Sequence, residues 1–340
     1  MTATFARRAT GPVALAGFVA FAAAMPSVLG SARLLSMSLA LIFAIAALSV
    51  VVITGWAGQT SLAQVTFMGV GAFTVARLMA PRVGLPLYLA APAAVLAAAL
   101  FSVVIGLPAL RLRGVYLAIV TLGFAQVMQD AVFNNSTITE SQNGLTVARP
   151  VLGRLDLTAE HTLYYLLLGL LVGCCVLVWA MRRSALGRSM ISLRTTEVGA
   201  SVRGIDLVST KLAAFSISAA LAGLAGVLYA LEVQSVGPAP FNPLQSIFLL
   251  GLVVIAGQRT IAAALVAGLL YGWMPPELTR HFTDSTFGPN ATNLVAGVGL
   301  LLVLIGREQL RGMALRLPRG RWPWPRRITV APEVHRNVPA

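Results

Sequence analysis

The sequence predicts an all-α, polytopic integral membrane protein, a helical bundle of about ten transmembrane helices. Three observations carry that expectation. Of 340 residues, 57% are hydrophobic and 11% are charged, and the mean hydropathy is +0.83; soluble domains of this length are far less apolar. The apolar residues fall into runs close to the ~20 residues that cross a ~30 Å hydrocarbon core. Those runs do not alternate in polarity, as the strands of an outer-membrane barrel would. A net charge of +14 would suggest nucleic acid in a soluble chain. Here the basic residues sit between the apolar runs, so membrane topology accounts for them and no nucleic-acid partner is expected.

Taken in order, the spans are predicted at 11–30, 34–55, 61–80, 86–109, 114–133, 162–182, 211–232, 243–257, 259–275 and 290–306. Arg7 and Arg8 before the first run give it the charge of a signal peptide. The run nevertheless continues past Pro26 with no clean small-residue cleavage site, which favours a retained helix. Ten spans place both ends on one side. On that side fall 19 of the 25 Lys and Arg residues, against 6 on the other, and basic residues mark the cytoplasmic face. The N-terminal residues 1–10, the interval 183–210 and the basic tail 307–340, with Trp322 and Trp324, are therefore expected on the cytoplasmic side of the membrane. The tail is expected to lie along lipid head groups. The outer loops 134–161 and 276–289 read either as solvated connectors or as seats for a soluble delivery protein.

Two stretches stand apart from the apolar background. The interval 184–211 carries Arg188, Arg194, Arg203 and Lys211 against Glu197 and Asp206 only. Met190, Ile191, Leu193, Val198, Val202 and Ile205 recur at helical spacing, which predicts one or two short helices against the membrane. Asp206 or Ser209 is placed to cap the span that follows. The second stretch, 55–73, sets Gly55, Gly58, Gly69 and Gly71 among Gln59, Thr60, Ser61, Gln64 and Thr66. Polar side chains at membrane depth need partners or water, and glycines let a helix break or pack closely. The expectation is a broken or tightly packed helix beside a transport path, with helix packing alone as the alternative.

These two stretches also carry a resemblance. TTEVGASVRGIDLVSTKLAAF resembles the cytoplasmic loop and following helix of bacterial ABC-importer permeases of the branched-chain amino acid type. That family has a Glu, a small residue three later and a Gly four after that, here Glu197, Ala200 and Gly204. A Lys–Leu–x–Ala–Phe run follows, here Lys211 to Phe215. The resemblance implies that the loop couples to an ATP-hydrolysing subunit. In physical terms, Ala200 and Gly204 lie four apart and would share one helix face open to a partner, and Glu197 would accept hydrogen bonds near a helix start. AGQTSLAQVTFMGVGAF is similar to the family pattern AGQ-x-SLG-x-x-x-F-x-G-x-GA, departing at Ala63 and Gln64. It marks Gln59, Ser61, Gln64, Thr66, Gly69 and Gly71 as candidates for the translocation path. Residues 110–128 and 241–260 resemble further family segments, although the turn with Arg259 is atypical. An internal echo sets AGQTSLA at 57–63 against AGQRTIA at 256–262, an offset of 199.

The family implies a second homologous permease subunit, two ABC ATPase subunits, an extracytoplasmic substrate-binding protein and the lipid bilayer as partners. Its substrate would be a branched-chain or other small amino acid, with urea, short amides or aromatic acids as alternatives. No phosphate-binding GxxxxGK[ST], HExxH or GxSxG is present. No enzymatic activity, metal or cofactor is expected, and ATP would be bound by partner chains. Adjacent Cys174 and Cys175 point in different directions on a helix and are not expected to bridge. A stand-alone secondary transporter is the reading from another class. Asp130, Glu232, Arg77 and Lys211 all fall near predicted span ends rather than mid-membrane, which weakens it.

Overall fold

The computed structural model describes residues 17–27, 30–109, 112, 114–135, 144–152 and 155–277. The predicted tenth span at 290–306, residues 1–10 and the tail 307–340 lie outside these. Residues 17–24 are helical. The remaining helices are α1 (Ser31–Val50), α2 (Gln64–Met79), α3 (Leu87–Ala109), α4 (Val115–Met128), α5 (Glu160–Arg183), α6 (Ala185–Thr195), α7 (Glu197–Val202), α8 (Leu207–Val233), α9 (Pro243–Ala256) and α10 (Ile261–Gly272). Among the described residues, five helices are long and apolar enough to cross a membrane, and α2 and α9 are shorter apolar helices.

The interval 184–211 forms two short helices, α6 and α7. Ser184 caps α6 by accepting from the Gly187 N–H. Asp206 Oδ1 accepts from the Val208 N–H at 3.0 Å and starts α8, so Asp206 rather than Ser209 supplies that cap. The predicted span at 61–80 is corrected at its start. Residues 57–63 are not helical, and α2 begins only at Gln64. α1 meanwhile continues π-helically over Val51–Trp56. The described residues of the loop 134–161, which carries no strand periodicity, make two small antiparallel pairings. β1 (Leu145–Thr146) pairs with β4 (Ser235–Val236), and β2 (Val151–Leu152) with β3 (Leu155–Asp156).

α1 is the axis of the bundle, with α5, α8 and α10 packed around it. Its most apolar window is 94% buried, against 33% for α3 and α4. In lipid, burying a leucine gains little over exposing it to acyl chains, so helix association rests on close fit and small residues. The contacts follow that rule. A Cβ at Gly268 or Gly272 would be driven into the backbone of Ala44 or Ala40 on α1. On the other side of α8, Gly71 lies against Gly223, and Gly226 lies against the Met68 carbonyl. α3 and α4 instead expose Leu96, Leu100, Val104, Tyr116 and Ile119, a surface suited to acyl chains.

The sequence echo has a structural counterpart. The turn between α1 and α2 and the turn between α9 and α10 meet at one end of the bundle. Gly58 (φ 72°) and Gly257 (φ 104°), equivalent under the offset, both adopt the left-handed conformation. Trp56 Nε1 donates to the Arg259 carbonyl at 3.3 Å. This end also carries α6 and α7 and is called the basic end below. At the opposite end, Arg149 straps the 144–149 segment to the close of α8. Its Nε donates to the Leu231 carbonyl at 3.0 Å, and its guanidinium pairs with Glu232 at 3.7 Å.

Candidate functional site

Of the two sets of residues singled out in the sequence, the coupling residues and Gln59 come together at the basic end. Residues 57–59 leave the π-helical close of α1 in a turn that requires a left-handed residue at Gly58. A Cβ there would press on the Arg194 side chain of α6. The Arg194 guanidinium donates to the Gly55 carbonyl, and Arg182 sits 5.7 Å from the Trp56 ring, within cation–π range. Burial, and then the nearby Arg259, push the Arg194 pKa below its ordinary value. Basic groups from α5, α6 and the α9–α10 turn thus crowd around the first turn.

Lys211, one turn into α8, points back toward α7, and its Nζ donates to Glu197 Oε1 at 2.8 Å. Glu197 therefore ties α7 to α8. It sits at the first residue of α7, where a carboxylate also suits the helix dipole. Ala200 and Gly204 do not share a helix face, contrary to the expectation from spacing. α7 ends at Val202, Ala200 is only 1% exposed, and Gly204 has φ +73°. The Gly204 N–H donates to the Ser201 carbonyl at 2.9 Å, and the Ile205 N–H to the Ala200 carbonyl at 3.1 Å. That pair of bonds is a Schellman motif with Gly204 at its left-handed position. The four-residue spacing is thus the signature of a helix stop. The face of α7 that looks outward carries Val198 and Val202, 74% and 83% exposed, one turn apart.

A cavity of about 190 Å³ opens where these pieces meet. Gln59 from the first turn, Gly114 and Leu117 from the start of α4, Arg194, Glu197 and Lys211 are among its walls. It joins one residue of the path set, Gln59, to two of the coupling set.

The other path candidates lie deeper and are packed. Ser61 Oγ meets the Ala63 N–H at 3.4 Å. The Gln64 side-chain amide lies 2.9 Å from Ser49 Oγ and 3.1 Å from Ser218 Oγ, joining α2 to α1 and α8, while the two hydroxyls donate to the Ala46 and Ser49 carbonyls. Thr66 Oγ1 is buried with no hydrogen-bond partner among the described residues. Gly69 makes room for the Phe133 and Phe241 rings, and Gly71 for Gly223.

Four hydroxyls that support this region escaped sequence reasoning. Thr121 Oγ1 accepts from the Leu62 N–H at 3.0 Å, and Ser246 Oγ from the Val65 N–H at 3.1 Å. They satisfy orphan donors at the start of α2 from two other helices. Ser49 and Ser218 complete the set. The signal available was a hydroxyl or two inside each of four apolar runs, and it does not say which helix a hydroxyl faces. Among the described residues, no group of three or more His, Cys, Asp or Glu side chains is placed to hold a metal ion.

Residues 33–304 match the family model described as branched-chain amino acid transport system / permease component. The chain is 32% identical over 319 residues to the high-affinity branched-chain amino acid transport system permease protein LivM of Escherichia coli (strain K12), covering 87% of this chain and 73% of that one. It is 31% identical over 296 residues to LivM of Salmonella typhimurium, covering 80% and 68%. A more distant similarity, 24% over 163 residues and 46% of each chain, is to the autoinducer 2 import system permease protein LsrC of Escherichia coli O157:H7. No solved structure matches. With the family model spanning the helices that build both the basic end and the packed α1–α2–α8 core, the chain belongs to the branched-chain amino acid transport permease family.

Proposed function

We propose that the protein is the permease subunit of an ABC importer, carrying a small amino acid of the branched-chain class through a bacterial plasma membrane. It would pair with a second homologous permease, two ATPase subunits and an extracytoplasmic binding protein. ATP is bound and hydrolysed on the partner chains, and both termini face the cytoplasm. The observation that carries this reading is the exposed Val198–Val202 face on a short helix at the basic end. Apolar side chains this exposed beside so many arginines suit a soluble partner rather than acyl chains. The Glu197–Lys211 pair would pass a push on α7 to α8, and α8 packs on α1, α2 and α3.

Gln59, Ser61, Gln64, Thr66, Gly69 and Gly71 are read as bordering the path. The buried Thr66 Oγ1, without a hydrogen-bond partner among the described residues, supports this, because a buried polar atom left unpaired calls for an explanation such as a water or a substrate group. Opening would slide α2 against α8 along the glycine contacts.

The test is uptake of labelled leucine by the reconstituted complex, with ATP hydrolysis measured in parallel. Val198→Asp with Val202→Asp should abolish co-purification of the ATPase and stop uptake. Gly204→Leu should strain the helix stop by about 1 kcal/mol and uncouple hydrolysis from uptake while the protein still inserts. Normal uptake by both variants would overturn the coupling role. Uptake that needs no ATPase and collapses with an uncoupler would instead establish a secondary carrier. A panel including urea, short amides and aromatic acids fixes the substrate class.

A further inference from the structure

We infer that the outward stripe of α4 made by Gly123, Gln126 and Asp130 is a wall of the water-filled translocation path, where Asp130 takes the ammonium group of the passing amino acid. The inference rests on the importer reading above and adds to it a face of the bundle and a contact for the solute.

α4 runs from the basic end, where Gly114 and Leu117 line the cavity, toward the end strapped by Arg149. The span it belongs to is Val115–Phe133. Gln126 stands about 16 Å and Asp130 about 22 Å along it, so both lie within a ~30 Å hydrocarbon core. Both are exposed, and Gln126 Nε2 donates to Asp130 Oδ2 at 2.8 Å. Gly123 shares their helix face, and a Cβ there would meet nothing within 4 Å.

A carboxylate and an amide turned toward acyl chains at that depth carry a large cost, and an aspartate is too short to reach the head groups as a lysine or arginine does. The neighbouring α3 shows how this chain meets lipid. Its exposed side chains Leu89, Leu96, Leu100, Phe101 and Val104 are all apolar. The stripe on α4 therefore faces water inside the membrane, and the second permease subunit closes that path from the far side.

The local backbone aims Asp130 outward. Residues Gln129–Phe133 are π-helical, a rare form frequent at functional sites. On the inner side of this turn, Gln129 Nε2 donates to the Pro238 carbonyl at 3.2 Å, and the Phe133 ring stacks on Phe73 with centroids 4.9 Å apart. These anchors leave the Asp130 carboxylate turned away from the bundle, with a neutral amide as its neighbour. Among the described residues no cation pairs with it. A carboxylate so placed suits an ammonium donor and repels an anion. Val127 beside it, also exposed, would meet an apolar side chain.

The test uses the full complex, in lipid nanodiscs for labelling and in proteoliposomes for uptake. Gly123→Cys, Gln126→Cys and, on α3, Leu100→Cys are each treated with a membrane-impermeant cationic methanethiosulfonate. The wild-type complex, in which Cys174 and Cys175 are buried, gives the background. Gly123→Cys and Gln126→Cys should react about tenfold faster than Leu100→Cys in at least one nucleotide state. Asp130→Asn should cut the leucine imported per ATP hydrolysed about tenfold, whereas Asp130→Glu should keep most of it, because the solute meets a charge. A merely structural role gives the opposite order, since Asn is the closer fit and retains an acceptor for Gln126. Equal reaction rates at positions 126 and 100, or normal uptake by Asp130→Asn, would each overturn the inference. So would labelling of the isolated subunit that vanishes in the complex in every nucleotide state, which would mark the stripe as a dry contact with the partner permease. If the wild-type complex imports no leucine while Gln126→Cys reacts, the substrate reading fails alone and the water-filled face stands.

Discussion

The two Ala–Gly–Gln turns share three residues and a left-handed glycine, yet they are held in different ways. The second turn is local. α9 stops at Ala256, Gly257 turns the chain in open space, and Thr260 Oγ1 caps α10 by accepting from the Ala263 N–H at 3.2 Å. The first turn is assembled by its neighbours. Arg194 reaches it from α6, Gly55 packs on the Gln258 carbonyl, and the N–H groups before α2 are satisfied by Thr121 and Ser246 from α4 and α9. A short sequence can therefore carry the same letters and rest on different parts of the molecule. The turn built from elsewhere is the one next to the cavity.

The largest effect should come from closing the gap between the turns. Gly55→Ala drives a methyl group into the Gln258 carbonyl and should cost about 3 kcal/mol, the upper range for overpacking against backbone. The thermal midpoint of the purified protein in detergent checks it, and a midpoint equal to wild type would show that the turns can part freely.

Next come the caps. Ser246→Ala leaves the buried Val65 N–H unpaired and should cost about 2 kcal/mol, and Thr121→Val, at a half-buried contact, somewhat less. Thr260→Val, which removes the cap of α10, should cost about 1 kcal/mol. Chemical denaturation of the three variants side by side tests the contrast between borrowed and local caps. Equal losses would erase it.

The glycines themselves give a smaller difference. Gly257→Ala meets only left-handed strain, about 1 kcal/mol. Gly58→Ala adds a Cβ 2.7 Å from the Arg194 Cγ and should lose more. If Arg194→Ala brings Gly58→Ala level with Gly257→Ala, the extra loss is that contact. Smallest is Asp206→Ala, which removes a solvent-facing cap of α8 and should cost somewhat under 1 kcal/mol by the same denaturation assay.

Much of this was legible beforehand, for physical reasons. Lipid imposes a length and an apolar composition on every spanning helix, so α3, α5 and α8 could be read from hydropathy alone. The helices within 184–211 could be read from spacing. α2 was harder. Hydropathy cannot distinguish a span that starts at residue 61 from one whose first residues are irregular and capped by hydroxyls of other helices. Ala200 and Gly204 were singled out together but assigned the wrong geometry. A spacing of four is compatible both with a shared helix face and with a Schellman stop, and backbone dihedrals alone separate the two.

The sequence by itself determined the membrane class, the approximate span boundaries, the basic interval and the positions where backbone freedom or close approach was needed. Those properties depend on local composition and on the length of chain that water or lipid will accept. Tertiary structure alone decided that Gln59, Glu197 and Lys211 meet around one cavity, that α7 presents Val198 and Val202 rather than Ala200, and that Thr121 and Ser246 finish a helix they do not belong to. These facts depend on which faces of distant helices come together, and in an apolar chain that choice is made by small residues and single hydroxyls whose partners lie far along the sequence.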